Sequence, residues 1–332
     1  MEFNVMNILF DVAIILLATK LLGMFTRKIG LPQVVGMIIA GLLIGPAIAG
    51  HLHLGSFKGL IAPTDIEMKV LQSFSQIGVV FILFSSGLET DFKELKKSGA
   101  AATAIASVGV LVPVALGAFT SLFFMGWPKN ALSHEMLMNA LFVGAILSAT
   151  SVGITVETLR ELGALNSKVG TTILSAAIID DVLGIIALSV ITGLNGGGHV
   201  GETLLKAAMF FVFSVGFGYI LRKIFDRLVH TYPHKRRTSI FALSMCLIYA
   251  YCAEKYFGIA AITGAYMAGL MLSGLDDTSF VDRKVVVSGY MIFTPMFFSY
   301  IGISADFSNF RLSGLLFALV FVIVGVLAKI IG

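Results

Sequence analysis

Apolar runs of about twenty residues recur eleven times along this chain, and no other feature constrains its fold so tightly. They fall at 7–26, 33–50, 69–88, 99–125, 136–159, 169–193, 203–225, 238–256, 258–274, 286–304 and 313–332, segments 1 to 11 below. A hydrocarbon core about 30 Å thick is crossed by roughly 20 apolar residues in a helix. Only 13% of the 332 residues are charged, about half the usual 25% of soluble domains, so a water-soluble fold would lack polar surface. The runs are continuous rather than alternating, which favours helices over barrel strands. The first begins within ten residues of Met1 and more spans follow, unlike a cleaved signal peptide. The chain reads as an all-α polytopic membrane protein.

Lysine and arginine orient it. Loops after odd-numbered segments hold fifteen: Arg27, Lys28, Lys93, Lys96, Lys97, Arg160, Lys168, Arg222, Lys223, Arg227, Lys235, Arg236, Arg237, Arg283 and Lys284. Loops after even-numbered segments hold six: Lys58, Lys69, Lys129, Lys206, Lys255 and Arg311. The odd loops therefore face the cytoplasm and the N-terminus faces out, in a multi-pass cell-membrane protein. The net charge of +4 comes from these short loops and gives no reason to expect nucleic acid. Cys246 and Cys252 share one apolar run, where a disulfide framework is not expected. All six histidines (51, 53, 134, 199, 230 and 234) read as loop residues without metal-ligand spacing, so no cofactor is expected.

An internal repeat is visible. Gly36-Met-Ile-Ile-Ala40-Gly41-Leu42 in segment 2 matches Gly264-Ala-Tyr-Met-Ala268-Gly269-Leu270 in segment 9. Gly87-Leu-Glu-Thr-Asp91-Phe92 after segment 3 matches Gly302-Ile-Ser-Ala-Asp306-Phe307 after segment 10. Chance similarity of Gly-rich membrane helices is the alternative, but two matches in the same order favour a repeat. An offset of seven spans inverts the second copy relative to the first, the arrangement of secondary transporters with midplane sites. Segments 4, 5 and 6 then require partners in spans 11, 12 and 13, so at least two further spans are expected beyond Gly332.

Few charges lie deep in the segments, and a deep ionisable residue is a functional candidate. Asp180 and Asp181 stand mid-way in segment 6, flanked by six apolar or small residues on each side. Adjacent helical positions point about 100° apart, so one carboxylate can face a cavity while the other meets a fixed counter-charge. Lys329 in segment 11 is the candidate partner; snorkelling to the interface is its structural alternative. Ser148-Ala-Thr150-Ser151-Val-Gly153 in segment 5 suggests a broken helix whose carbonyls and hydroxyls ligate a cation, or else a close contact of small residues. Glu157 lies further along, either in the transport path or simply at the helix end. Asp11 and Lys20 read as interfacial.

These residues resemble those of bacterial monovalent cation:proton antiporters of the Kef, NapA and GerN kind, over essentially the whole chain. The resemblance rests on Gly30-Leu-Pro-Gln-Val-Val-Gly-Met-Ile-Ile-Ala-Gly-Leu-Leu-Ile-Gly-Pro46, Phe84-Ser-Ser-Gly-Leu-Glu89, Thr150-Ser151 and Ile179-Asp-Asp-Val-Leu-Gly184. It implies the inverted-repeat Na⁺/H⁺ antiporter fold, with about 11 of 13 expected spans present, and a homodimer. Residues 1–95 and 233–310 would form the dimer domain, 196–232 the connecting helix, and 96–195 with 311–332 the moving core, in which segments 5 and 12 are broken. Kef-type members also carry a C-terminal regulatory nucleotide-binding domain, of which this chain has no sign. Their Gln-Asp is Asp180-Asp181 here, which resembles electrogenic Na⁺/H⁺ members and favours Na⁺ (or Li⁺) over K⁺.

The expected mechanism is exchange of Na⁺, Li⁺ or K⁺ for H⁺. Asp181 binds the ion, with Thr150, Ser151 and backbone carbonyls as further ligands. Asp180 pairs with Lys329, and Glu157 is a peripheral candidate. Burial disfavours a carboxylate and a nearby ammonium favours it, so cation and proton compete for one charge. A ligand-gated channel would instead conduct without proton coupling, and a Na⁺-coupled solute symporter would move both species in one direction. An intramembrane aspartyl protease would carry its two aspartates on different helices.

Overall fold

The computed structural model describes residues 5–46, 60–128, 131–194, 200–231, 236–306 and 314–331. Outside these lie Lys58, Lys129, Lys235, Arg311, Phe307, four of the histidines (51, 53, 199 and 234) and the end of segment 2. The described chain is helical: α1 Val5–Lys28, α2 Gln33–Ile44, α3 Asp65–Glu89, α4 Phe92–Phe124, α5 His134–Ser148, α6 Val152–Glu161 and α7 Lys168–Leu194. There follow α8 Val200–Thr231, α9 Arg236–Phe257, α10 Ala261–Leu272, α11 Thr278–Ser288, a π-helical turn Gly289–Phe293, α12 Thr294–Ile303 and α13 Leu315–Ile331. Counting α5–α6 and α11–α12 as single elements, eight are long and apolar enough to cross a membrane, and α2, α10 and α13 are shorter apolar helices.

Local chemistry sets several boundaries. Gly30, at φ 79°, turns the chain after α1, and Pro32 precedes α2, where the N–H it lacks has no helical partner to lose. Thr64 and Glu67 close a capping box on α3, with the Thr64 N–H donating to the Glu67 carboxylate at 2.8 Å. Segment 5 is two helices, because backbone N–H groups after Ser148 leave the α pattern and Ser151 caps a new helix. Segment 10 starts eight residues before its expected position at 286. Asp282-Arg283-Lys284 look like loop residues in sequence, yet they lie in α11, where Asp282 accepts a hydrogen bond from Ser85 of α3. Two histidines also depart from the loop reading: His134 opens α5, and His230 closes α8 beside Asp226 at 3.7 Å. Asp11 is buried on α1.

The motif glycines are contact points. A Cβ on Gly36 would lie 2.5 Å from the Leu22 carbonyl oxygen, and one on Gly264 would lie 2.4 Å from that of Tyr249. A Cβ on Gly41 would meet the Ser299 oxygen at 2.0 Å, and one on Gly269 the Phe84 oxygen at 2.3 Å. A Cβ on Gly87 would meet the Tyr266 oxygen at 2.3 Å, and one on Gly302 the Ile38 oxygen at 2.3 Å. In sequence the matched stretches pair Gly36 with Gly264, Gly41 with Gly269, and Gly87 with Gly302. Each glycine thus touches the backbone that its counterpart's match predicts: α2 lies on α1 and α12, as α10 lies on α9 and α3. Small residues let apolar helices approach to backbone contact, where packing rather than a hydrophobic force drives association. Beside this frame stand α4, α5, α7 and α13, which carry the deep charges.

Candidate functional site

The deep charges meet where α5 stops. Asp180 and Asp181 sit mid-way along α7 and line an open cavity of about 370 Å³ together with Phe142, Ala145, Ile146, Ser148, Ala149, Gly184, Ile185, Leu188 and Ala260. Lys329 of α13 approaches from the other side of Asp180, with Nζ 3.7 Å from Oδ2. The same ammonium donates to the Ser148 carbonyl at 3.0 Å and to the Gly109 carbonyl at 3.2 Å. The aspartates therefore differ as their 100° separation requires: Asp180 has the counter-charge, and Asp181 has none among the described residues.

Both carbonyls are available for a local reason. Ser148 is the last residue of α5, so its oxygen belongs to the final turn that has no helical donor and carries the negative end of the helix dipole. Gly109 lies four residues before Pro113, inside α4. Proline lacks the N–H that would bond to that oxygen, so the helix interior presents a carbonyl to Lys329. A Cβ on Gly109 would lie in ordinary contact with Asp180 Oδ1, at 3.8 Å, so α4 runs beside the carboxylate here. That oxygen is buried without a hydrogen-bond partner among the described residues. Neither Gly109 nor Pro113 stood out in sequence, although a proline deep in an apolar run is the available signal.

Thr150 and Ser151 lie between α5 and α6 and do not line the cavity. The Thr150 hydroxyl donates to the Ser148 carbonyl at 3.1 Å, and the Ser151 hydroxyl accepts from the Ile154 N–H at 3.4 Å as the N-cap of α6. Both hydroxyls thus shape the break, and Ser148 and Ala149 stand nearer the aspartates.

Glu157 belongs to a second polar centre at the far end of α6. It is 2% exposed and accepts a hydrogen bond from Tyr290 of the π-helical turn. Arg160 lies 3.5 Å from Glu157, donates to Tyr290 Oη at 3.1 Å and Ser85 Oγ at 3.0 Å, and reaches Glu89 at 3.3 Å. Ser85 in turn donates to Asp282. One turn on, both carboxylate oxygens of Glu161 accept from the Gln33 N–H, at 2.8 and 3.1 Å, at the start of α2. In sequence Glu157 read as a peripheral candidate, Arg160 as a loop charge, and Ser85 and Glu89 only as part of the motif Phe84-Ser-Ser-Gly-Leu-Glu89.

Apolar membrane-length helices, a helix broken at mid-depth and buried aspartates beside that break define a membrane transporter. The chain belongs to the sodium/hydrogen exchanger family: the family model "Sodium/hydrogen exchanger, transmembrane" matches residues 13–332. It is 34% identical over 328 residues to the probable Na⁺/H⁺ antiporter GerT of Bacillus cereus, covering 97% of this chain and 80% of that protein. It is 33% identical over 334 residues to the Na⁺/H⁺-K⁺ antiporter GerN of the same organism, covering 100% and 79%. The solved structure of the sodium proton antiporter MjNhaP1 from Methanocaldococcus jannaschii at pH 8 has the same fold, with TM-score 0.67 and 21% identity over 98% of this chain and 79% of that one.

Proposed function

We propose that this chain exchanges a monovalent cation, Na⁺ in preference to K⁺ or Li⁺, for protons by alternating access, with Asp181 as the shared ion and proton site. The observation that carries this reading is the mid-helix Asp180-Asp181 pair in a cavity, with Lys329 bridging Asp180 to the end of the broken helix. A hard cation is suited by carboxylate and carbonyl oxygens. Asp181 lines the cavity without a counter-charge among the described residues, so it takes either Na⁺ or H⁺. Asp180 and Lys329 neutralise each other until a cation loads Asp181; the pair then breaks and Lys329 gives up a proton to water. Competition for one charge makes the exchange obligatory, because the core crosses only when that charge is covered.

The architecture we assign is an inverted repeat of thirteen spans in a homodimer, with the N-terminus outside the cell. The interchanged glycine contacts of α2 with α12 and of α10 with α3 support the repeat. The frame formed by those helices is the dimer domain, and α4 to α7 with α13 belong to the moving core. Thr150 and Ser151 contribute by holding the break open. Names of the relatives support a Na⁺/H⁺ or K⁺-linked exchange.

Everted vesicles carrying the protein expressed from its complete coding sequence test the reading. A preformed pH gradient should collapse on adding Na⁺ or Li⁺, more weakly with K⁺, and Asp181→Asn should abolish the effect. Collapse that persists in Asp181→Asn refutes the site. A folded protein that collapses the gradient with no cation refutes antiport and favours a channel or a symporter.

A further inference from the structure

We infer that Arg160 is a positioning residue for exchange: together with Glu161 it pins the half-helix α6 to α2, α3 and α11–α12, closing the face opposite the aspartate cavity. The inference rests on the alternating-access reading above. The cavity and the network lie on opposite sides of the break in segment 5. The cavity is lined from α5, from the middle and second half of α7, and from Ala260 before α10, with no residue of α6. The network takes the last turn of α6, the end of α3 and the region from Asp282 to Tyr290. In the orientation set by the lysines and arginines, the cavity opens outward and the network sits on the cytoplasmic side.

The arrangement is suited to holding one position reversibly. Arg160 places three side chains of other elements, Glu89, Ser85 and Tyr290, around one guanidinium, and its own side chain is only 17% exposed. Ion pairs and aimed hydrogen bonds fix one register, whereas an apolar face slides between several; fixing register is the best-attested use of buried charge. The Glu161 carboxylate adds a separable contact, a cap on the N-terminus of α2, where negative charge is favoured. At the other end of α6, a Cβ on Gly153 would lie 2.9 Å from the Phe297 ring and 3.2 Å from Val79, so that end of α6 packs closely on α3 and α12. Beneath the guanidinium is a cavity of about 10 Å³ bordered by Ile82, Ser85, Tyr290 and Thr294, so the seal is tight there. Withdrawing α6 exposes polar groups that water can satisfy, which keeps the separation accessible in a way that exposing apolar surface would not.

The test reads accessibility rather than transport. In a background with Cys246→Ala and Cys252→Ser, one cysteine is introduced by Ile82→Cys, at a position 2% exposed beside Arg160. Another protein carries Ala149→Cys, in the cavity. An impermeant maleimide is applied to everted and right-side-out vesicles. Glu157→Gln/Arg160→Gln, which leaves no unpaired charge on α6 at this point, should raise labelling of the Ile82→Cys protein from the cytoplasmic face at least threefold. It should lower external labelling of the Ala149→Cys protein. Glu161→Gln, at an exposed position, should do both in smaller measure, and Arg160→Lys should restore part of the original pattern. Unchanged labelling in both lock variants overturns the inference. If labelling shifts but the unmodified protein exchanges no cation, the lock stands and the exchange reading fails; cation exchange with unchanged labelling has the opposite meaning.

Discussion

Replacing Gly87 by alanine tests whether helix contact in this protein is set at the backbone. The new Cβ would lie 2.3 Å from the Tyr266 carbonyl oxygen and 3.0 Å from the Leu270 nitrogen, against 3.4 Å for an ordinary contact. Neither atom is the end of a flexible side chain, so α3 and α10 must part locally by about 1 Å, and gaps of that size forfeit a quarter to a half of each lining contact. Overpacking of this kind costs about 1–3 kcal/mol, and a rigid backbone puts the figure near the top. Alanine regains about 1 kcal/mol of helix propensity, which leaves a net loss of about 2 kcal/mol. For a chain of this size that is a fall of about 3 °C in melting temperature. Gly216 on α8, whose Cβ would meet nothing within 4 Å, supplies the control: Gly216→Ala should melt at or slightly above the wild type. Gly302→Ala, facing the Ile38 oxygen at the same 2.3 Å, should lose as much as Gly87→Ala. The assay is a melt in detergent at one scan rate for all variants, with reversibility checked by rescanning. Gly87→Ala melting no lower than Gly216→Ala refutes the packing argument. Unequal losses at Gly87 and Gly302 refute the equivalence of the two contacts.

Other outcomes follow from the site and the caps. Lys329→Met leaves Asp180 without its ammonium; as that lysine side chain is 34% exposed, the loss should be about 1–2 kcal/mol rather than the larger cost of a fully buried pair. In Asp180→Asn/Lys329→Met the two losses should fall short of additive by about 1 kcal/mol, read from melting temperatures as a double-mutant cycle. Additivity would show that the 3.7 Å pair contributes no coupling. Pro113→Ala returns an N–H to α4, so the Gly109 oxygen becomes shared; cation-dependent gradient collapse should slow several-fold while melting temperature holds or rises. Thr64→Ala removes the N-cap of α3 and should cost about 1 kcal/mol, seen as a melting temperature about 2 °C lower.

Sequence revealed what membrane burial makes expensive. Two adjacent aspartates and a lysine inside apolar runs demand a partner, and the pairing of Asp180 on α7 with Lys329 on α13 meets that demand. The glycine motifs were legible for the same kind of reason, since side-chain-free positions in long helices have few uses besides close approach. The Arg160 network was not legible. Its hydrogen bonds between elements join residues 71 to 197 positions apart, and each member stands at a segment end where charge costs little, so none looked out of place alone. The start of α11 was missed because Asp282-Arg283-Lys284 is a loop composition until Ser85 is known to face it. Thr150 and Ser151 were legible as a break because short hydroxyl side chains bond readily to nearby backbone, as both do here.

The Gly109 carbonyl has a consequence for how this site can be altered. Of the three acceptors around Lys329, two are main-chain oxygens, and main-chain oxygens neither gain nor lose a proton in the working range of a cell. The lysine therefore stays tethered while Asp180 changes state, and its berth does not drift with acidity. Nor can substitution at position 109 remove that oxygen. An alanine scan of the residues around the aspartates would pass over it, because the residue that governs it stands four places away and acts through a hydrogen it does not have.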